Sequence, residues 1–82
     1  MPYGRSCWID DGVSEFIYQA RIRNITEEGA TIELDEGQTM PATFTVYFDR
    51  NLVVGRTSTV SRQEGATYFV LFTGRAPPRN RF

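Results

Sequence analysis

The sequence predicts an all-β chain folded as a small six-stranded antiparallel β-barrel, with little or no helix. Three observations carry that reading. Apolar and polar residues alternate with a period of two through most of the chain, the pattern of strands that bury one face. Short Gly- and Asp-containing turns separate the alternating runs. No segment shows the apolar period of three to four that an amphipathic helix needs.

The elements follow in order. "SCWID", near the N-terminus, is the first and least regular strand candidate. "EFIYQARIR" alternates clearly, with Phe16, Tyr18, Ala20 and Ile22 on one face and Ile17, Gln19, Arg21 and Arg23 on the other. "GATIEL" places Ala30, Ile32 and Leu34 inward and Thr31 and Glu33 outward, and "DEGQ" turns the chain. "ATFTVYF" sets Phe44, Val46 and Phe48 against Thr43, Thr45 and Tyr47. Asp49-Arg50-Asn51 reads as a hairpin loop. "LVVGRTSTVSR" is the next strand, with Gly55 marking a bulge or a close backbone approach. Gln63-Glu64-Gly65 turns into "ATYFVLF", where Tyr68, Val70 and Phe72 oppose Phe69 and Leu71. Both faces of that strand are apolar, which predicts a central position or cover on two sides. The paired prolines of "TGRAPPRNRF" forbid a C-terminal helix. Residues 1–74 are therefore expected to form one barrel domain, with 75–82 as a flexible tail. Closure of the sheet removes the exposed edges that threaten small β proteins.

Composition narrows the function classes. At 82 residues the chain is one domain, and a chain of this size buries roughly 60% of its unfolded surface. The single cysteine, Cys7, allows no internal disulfide and reads as a small buried hydrophobe. Trp8 beside it reads as core. With no histidine, a structural metal site and a base for a catalytic thiol are both unexpected. An enzyme, a metal or a resident cofactor is therefore not expected. The net charge is −1 and all nine basic residues are arginine. That balance disfavours a general nucleic-acid binder, which needs a basic face. No targeting segment and no membrane-length apolar run is visible, so the cytoplasm is the expected compartment, with no membrane insertion.

The motif of interest is "RNITEEGATIEL". It places Asn24, Thr26 and Gly29 between two strands. Locally this is a turn: Asn and Thr side chains bond to nearby backbone, and glycine permits unusual dihedrals or close approach. In its wider context the segment resembles a PilZ domain, a small bacterial β-barrel family of which many members bind the second messenger cyclic di-GMP. The family's second signature is Asp or Asn, x, Ser, x, x, Gly at the start of a strand. Asn24, Thr26 and Gly29, followed by Ala30, are similar to it, with Thr26 keeping the serine hydroxyl. "TSTVSRQEGATYFVLF" is similar to the family's closing hairpin. The resemblance spans about Arg5 to Phe72.

It implies that Asn24 and Thr26 read a guanine and that Gly29 admits close backbone approach. The family's first signature, two arginines separated by three residues before the first strand, is incomplete. Arg5 is present, Ile9 stands where the second would fall, and Asp10 and Asp11 follow. Losing one or two charged hydrogen bonds, at about 1.5–3 kcal/mol each, lowers affinity by roughly one to four powers of ten. Arg21 and Arg23, on the strand leading into the motif, are candidate replacements. Arg75 and Arg79 have the right spacing at the other end of the chain. The resemblance thus implies a signalling or regulatory adaptor with weakened or lost cyclic di-GMP binding that acts on a protein partner. The alternative is a single-stranded nucleic-acid barrel of the OB or cold-shock kind, in which strand aromatics stack bases.

Overall fold

A computed structural model of the chain describes residues 4–13, 15–35 and 37–79. Six strands are formed: β1 Arg5–Asp10, β2 Tyr18–Arg23, β3 Gly29–Glu33, β4 Thr43–Tyr47, β5 Gly55–Glu64 and β6 Thr67–Ala76. They close into a ring in the order β1-β2-β3-β6-β5-β4, every neighbouring pair antiparallel. No described residue is helical, so no helix is long and apolar enough to cross a membrane. The ring closes where β1 meets β4, through only three residue pairs: Trp8 with Tyr47, Ile9 with Val46 and Asp10 with Thr45.

The period of two places the core. Cys7, Ile9, Ile22, Ile32, Val46 and Tyr68 are almost fully buried inside the ring. Each large aliphatic among them contributes roughly 1.5–3 kcal/mol of burial. The Tyr68 hydroxyl accepts the Met40 N–H at 3.2 Å, drawing the β3–β4 loop over one end of the barrel. The hairpins are closed by local chemistry. β5 and β6 join through the two-residue loop Gly65-Ala66, with Gly65 at φ 62°, the short-loop geometry that favours glycine. Gly55 is a close approach, as expected: a Cβ there would lie 2.6 Å from the Tyr47 ring.

Several expectations are corrected. Phe16 lies outside β2 and is 73% exposed. The β1–β2 ladder ends at Ile9 and Tyr18, so the strand pairing that enforces the alternation stops short of Phe16. Leu52, Val53 and Val54 belong to a loop rather than to β5. The Asp49 carboxylate accepts the N–H groups of Val53 and Val54, each at 2.9 Å, and keeps the loop turned. In the closed ring β6 has a neighbour on each side, β3 and β5, as every strand does, and its outer face is left open among the described residues: Leu71 is half exposed. Phe69 on that face lies under the Arg62 guanidinium, 4.6 Å from its ring centroid.

The chain end also differs from the sequence reading. β6 runs through Ala76, so the boundary expected after residue 74 falls inside a strand. Residues 77–79 then fold back and are tied at three points. The Tyr47 hydroxyl donates to the Pro77 carbonyl at 2.9 Å, the Arg79 N–H to the Leu52 carbonyl at 2.8 Å, and Arg79 Nε to Asp10 Oδ2 at 3.1 Å. This strap explains why Tyr47 is buried on the outward phase of β4. Burial, with Asp10 nearby, pushes the Tyr47 hydroxyl above the ordinary tyrosine range. Residues 80–82 lie outside the described part.

Candidate functional site

The turn between β2 and β3 is where the sequence placed a ligand site. Asn24 follows the last residue of β2 with φ 55°, a left-handed conformation that asparagine tolerates better than most residues. It is exposed, and its side chain makes no hydrogen bond among the described residues. Thr26 has a different fate. Its backbone N–H donates to the Gly29 carbonyl at 2.9 Å. Its Oγ1 accepts the N–H groups of Glu28 at 3.1 Å and Gly29 at 3.2 Å, and donates to the Gly29 carbonyl at 3.4 Å. A hydroxyl offers one donor and two acceptor positions, so every hydrogen-bonding position of Thr26 is used inside the turn.

Gly29 is explained by packing. It pairs with Leu71 across β3 and β6, and a Cβ on it would overlap the Val70 carbonyl oxygen. The Glu28 carbonyl accepts the Phe72 N–H at 2.8 Å and fixes the turn to β6. Glu27 and Glu28 are exposed at its tip.

Of the candidate arginines, Arg23 directly precedes this turn and Arg5 is paired two residues before it, while Arg21 lines a cleft that does not include the turn. Arg5 begins β1 opposite Ile22 and is exposed. Arg23 stands opposite Thr31 and gives its guanidinium to Glu33 at 2.7 Å. Arg21 is opposite Ser6 on one side and Glu33 on the other. It lines an open cleft of about 490 Å³ with Ser6, Gln19, Glu33, Leu34 and Asp35. Asn24, Thr26 and Gly29 are not among the lining residues. Two carboxylates, Glu33 and Asp35, line the same cleft and make it a poor seat for a phosphate. The spaced arginines at the chain end are separated as well. Arg79 is committed to Asp10, while Arg75 sits in β6 opposite Arg56.

That Arg56–Arg75 juxtaposition escaped the sequence reading, although a signal existed. Counting outward from the Gly65-Ala66 turn puts the two arginines opposite each other. The β5–β6 ladder has two register shifts, at Thr57/Ser58 and Val60/Arg62. Ser61 is skipped on β5 and Thr73 on β6, so the shifts cancel.

Two buried groups complete the inventory. Burial pushes the Cys7 thiol up to about 12, against a smaller opposing effect of the Ala20 backbone, so it is not a nucleophile at neutral pH. Ser58 Oγ is buried without a hydrogen-bond partner. No group of histidine, cysteine or carboxylate side chains suited to a metal occurs among the described residues. What fold and site define together is a closed antiparallel β-barrel whose most motif-like segment is a self-satisfied turn. No protein-family model, curated protein or solved structure matches this chain.

Proposed function

We propose that the chain is a PilZ-like bacterial regulatory module whose nucleotide half-site has become a structural turn, and that it acts through protein contacts rather than as a cyclic di-GMP receptor. The observation that carries this reading is the saturated Thr26 hydroxyl. A guanine could be bonded there only by breaking the turn. Supporting it are the pairing of Arg23 with Glu33 and the place of Arg21 in a cleft whose lining does not include the turn. The β1–β2 loop carries Val13 and Phe16 outward, 86% and 73% exposed, and two large apolar side chains in one exposed loop favour a protein contact.

The test is a titration of cyclic di-GMP into isotope-labelled protein, following backbone amides. The expected result is no saturable shift at Asn24, Thr26 or Gly29 up to about 1 mM, where binding would already be too weak for sensing. Saturation below roughly 100 μM would refute the proposal and restore the receptor reading.

A further inference from the structure

We propose that Arg56 and Arg75 form an anion site for a phosphate ester carried by a small molecule, distinct from the turn of residues 24–29. The two are direct cross-strand partners in the β5–β6 hairpin. Directly opposed residues have Cβ atoms about 4.5–5.5 Å apart, and like charges at that separation destabilise a sheet. No carboxylate among the described residues pairs with either of them. The three ion pairs among the described residues belong to Arg23, Arg62 and Arg79. The one bond recorded for Arg56 is a long 3.4 Å contact to the carbonyl of its neighbour Gly55, and no acceptor is recorded for Arg75 among the described residues.

The surroundings deepen the charge imbalance. Across the sheet from Arg56 stands Val46, and beyond it Ile9, both fully buried. That row of the interior therefore supplies no carboxylate. Phe72, the nearest core-facing residue of β6, packs edge-on against Phe48 with ring centroids 6.0 Å apart. Arg56 is itself half-buried. Half-buried, Arg56 is screened less than an exposed charge, while Arg75 opposite it is exposed and open to a ligand from solvent. Planar forks carried by two directly opposed residues can converge on one phosphate, whose oxygens accept paired N–H bonds. A dianion between them turns repulsion into attraction.

The proposal predicts a reversal that a surface arginine would not show. Arg75→Glu replaces the repulsive pair with a cross-strand ion pair. In chloride buffer this variant should melt higher than the natural protein. Inorganic phosphate at matched ionic strength should raise the melting temperature of the natural protein and leave that of Arg75→Glu unchanged. Amide titrations should show saturable shifts centred on Arg56 and Arg75, weakened at least tenfold in Arg56→Gln and in Arg75→Gln. Arg62→Gln, which removes an arginine already paired with Glu64, should leave them intact. A nucleoside monophosphate run in parallel identifies the source of the phosphate. Tighter binding than inorganic phosphate assigns a nucleotide, and equal binding assigns the phosphate group alone. Equal stabilisation of the natural protein and Arg75→Glu by phosphate, or equal weakening by Arg62→Gln, would overturn the site.

Discussion

Adding one methyl group at Gly29 should destabilise the barrel by about 2–4 kcal/mol. The magnitude follows from what the methyl meets. It would overlap the Val70 carbonyl oxygen and come within 3.1–3.2 Å of the Val70 carbonyl carbon and Leu71 Cα, all backbone atoms that cannot rotate away. β3 must therefore move off β6. Three hydrogen bonds depend on its position: Thr26 N–H to Gly29, Gly29 N–H to Thr26 Oγ1, and Phe72 N–H to Glu28. At about 0.5–1.5 kcal/mol each, their loss sums to roughly 1.5–4.5 kcal/mol, which brackets the expected destabilisation.

The assay is urea unfolding followed by the fluorescence of Trp8. With a denaturant slope near 1 kcal/mol/M, the midpoint should fall by roughly 2 M or more. Gly74→Ala is the matched control, since a Cβ there meets only Thr57 Oγ1 at an ordinary 3.4 Å. It should stay within about 0.5 kcal/mol of the natural protein. A Gly29→Ala midpoint as close to the natural one as that of Gly74→Ala would refute the argument. The glycine would then have to be explained by something other than strand packing.

Other outcomes follow from the same geometry. Ser58→Ala removes a buried hydroxyl that has no partner and should stabilise the fold by about 1 kcal/mol, read from the same urea midpoints. Deleting residues 77–82 uncovers Tyr47 and should speed amide exchange in β1 and β4 more than in the paired centre of β5 and β6. The Cys7 thiol has its pKa raised from 9.0 to about 12 by folding. The folded state therefore holds a proton that the unfolded chain releases. Its contribution is fully present below pH 9 and is lost as pH rises toward 12. Tyr47, raised in the same direction, adds to the alkaline loss. Cys7→Ala should flatten the fall in urea midpoint between pH 9 and 11.

The alternation was legible because it reports one thing, which face of a strand meets the core. Ala20, Ile22, Ala30, Ile32, Phe44 and Val46 are buried where the period of two puts them. It fails where burial comes from the outside. Thr31 is on the outward phase yet buried. It is flanked by its register partners Arg23 and Phe69, and the Arg23 side chain reaches past it to Glu33. Tyr47 is buried by the C-terminal strap, whose ties join residues far apart in sequence and leave no local mark. The motif was legible as a pattern of types, Asn24, Thr26 and Gly29. Whether a hydroxyl faces a ligand or its own backbone is decided by a turn of a few residues, and residue types alone are the same in both cases.

The strap has a consequence for how the ring opens. Its anchors, Tyr47 on β4 and Asp10 on β1, lie on the two sides of the three-pair junction that closes the ring. With residues 77–79 detached, the hairpins remain but β1 and β4 are joined by their three pairs alone. Loss of this short segment therefore unlatches the ring at a join far from it in sequence.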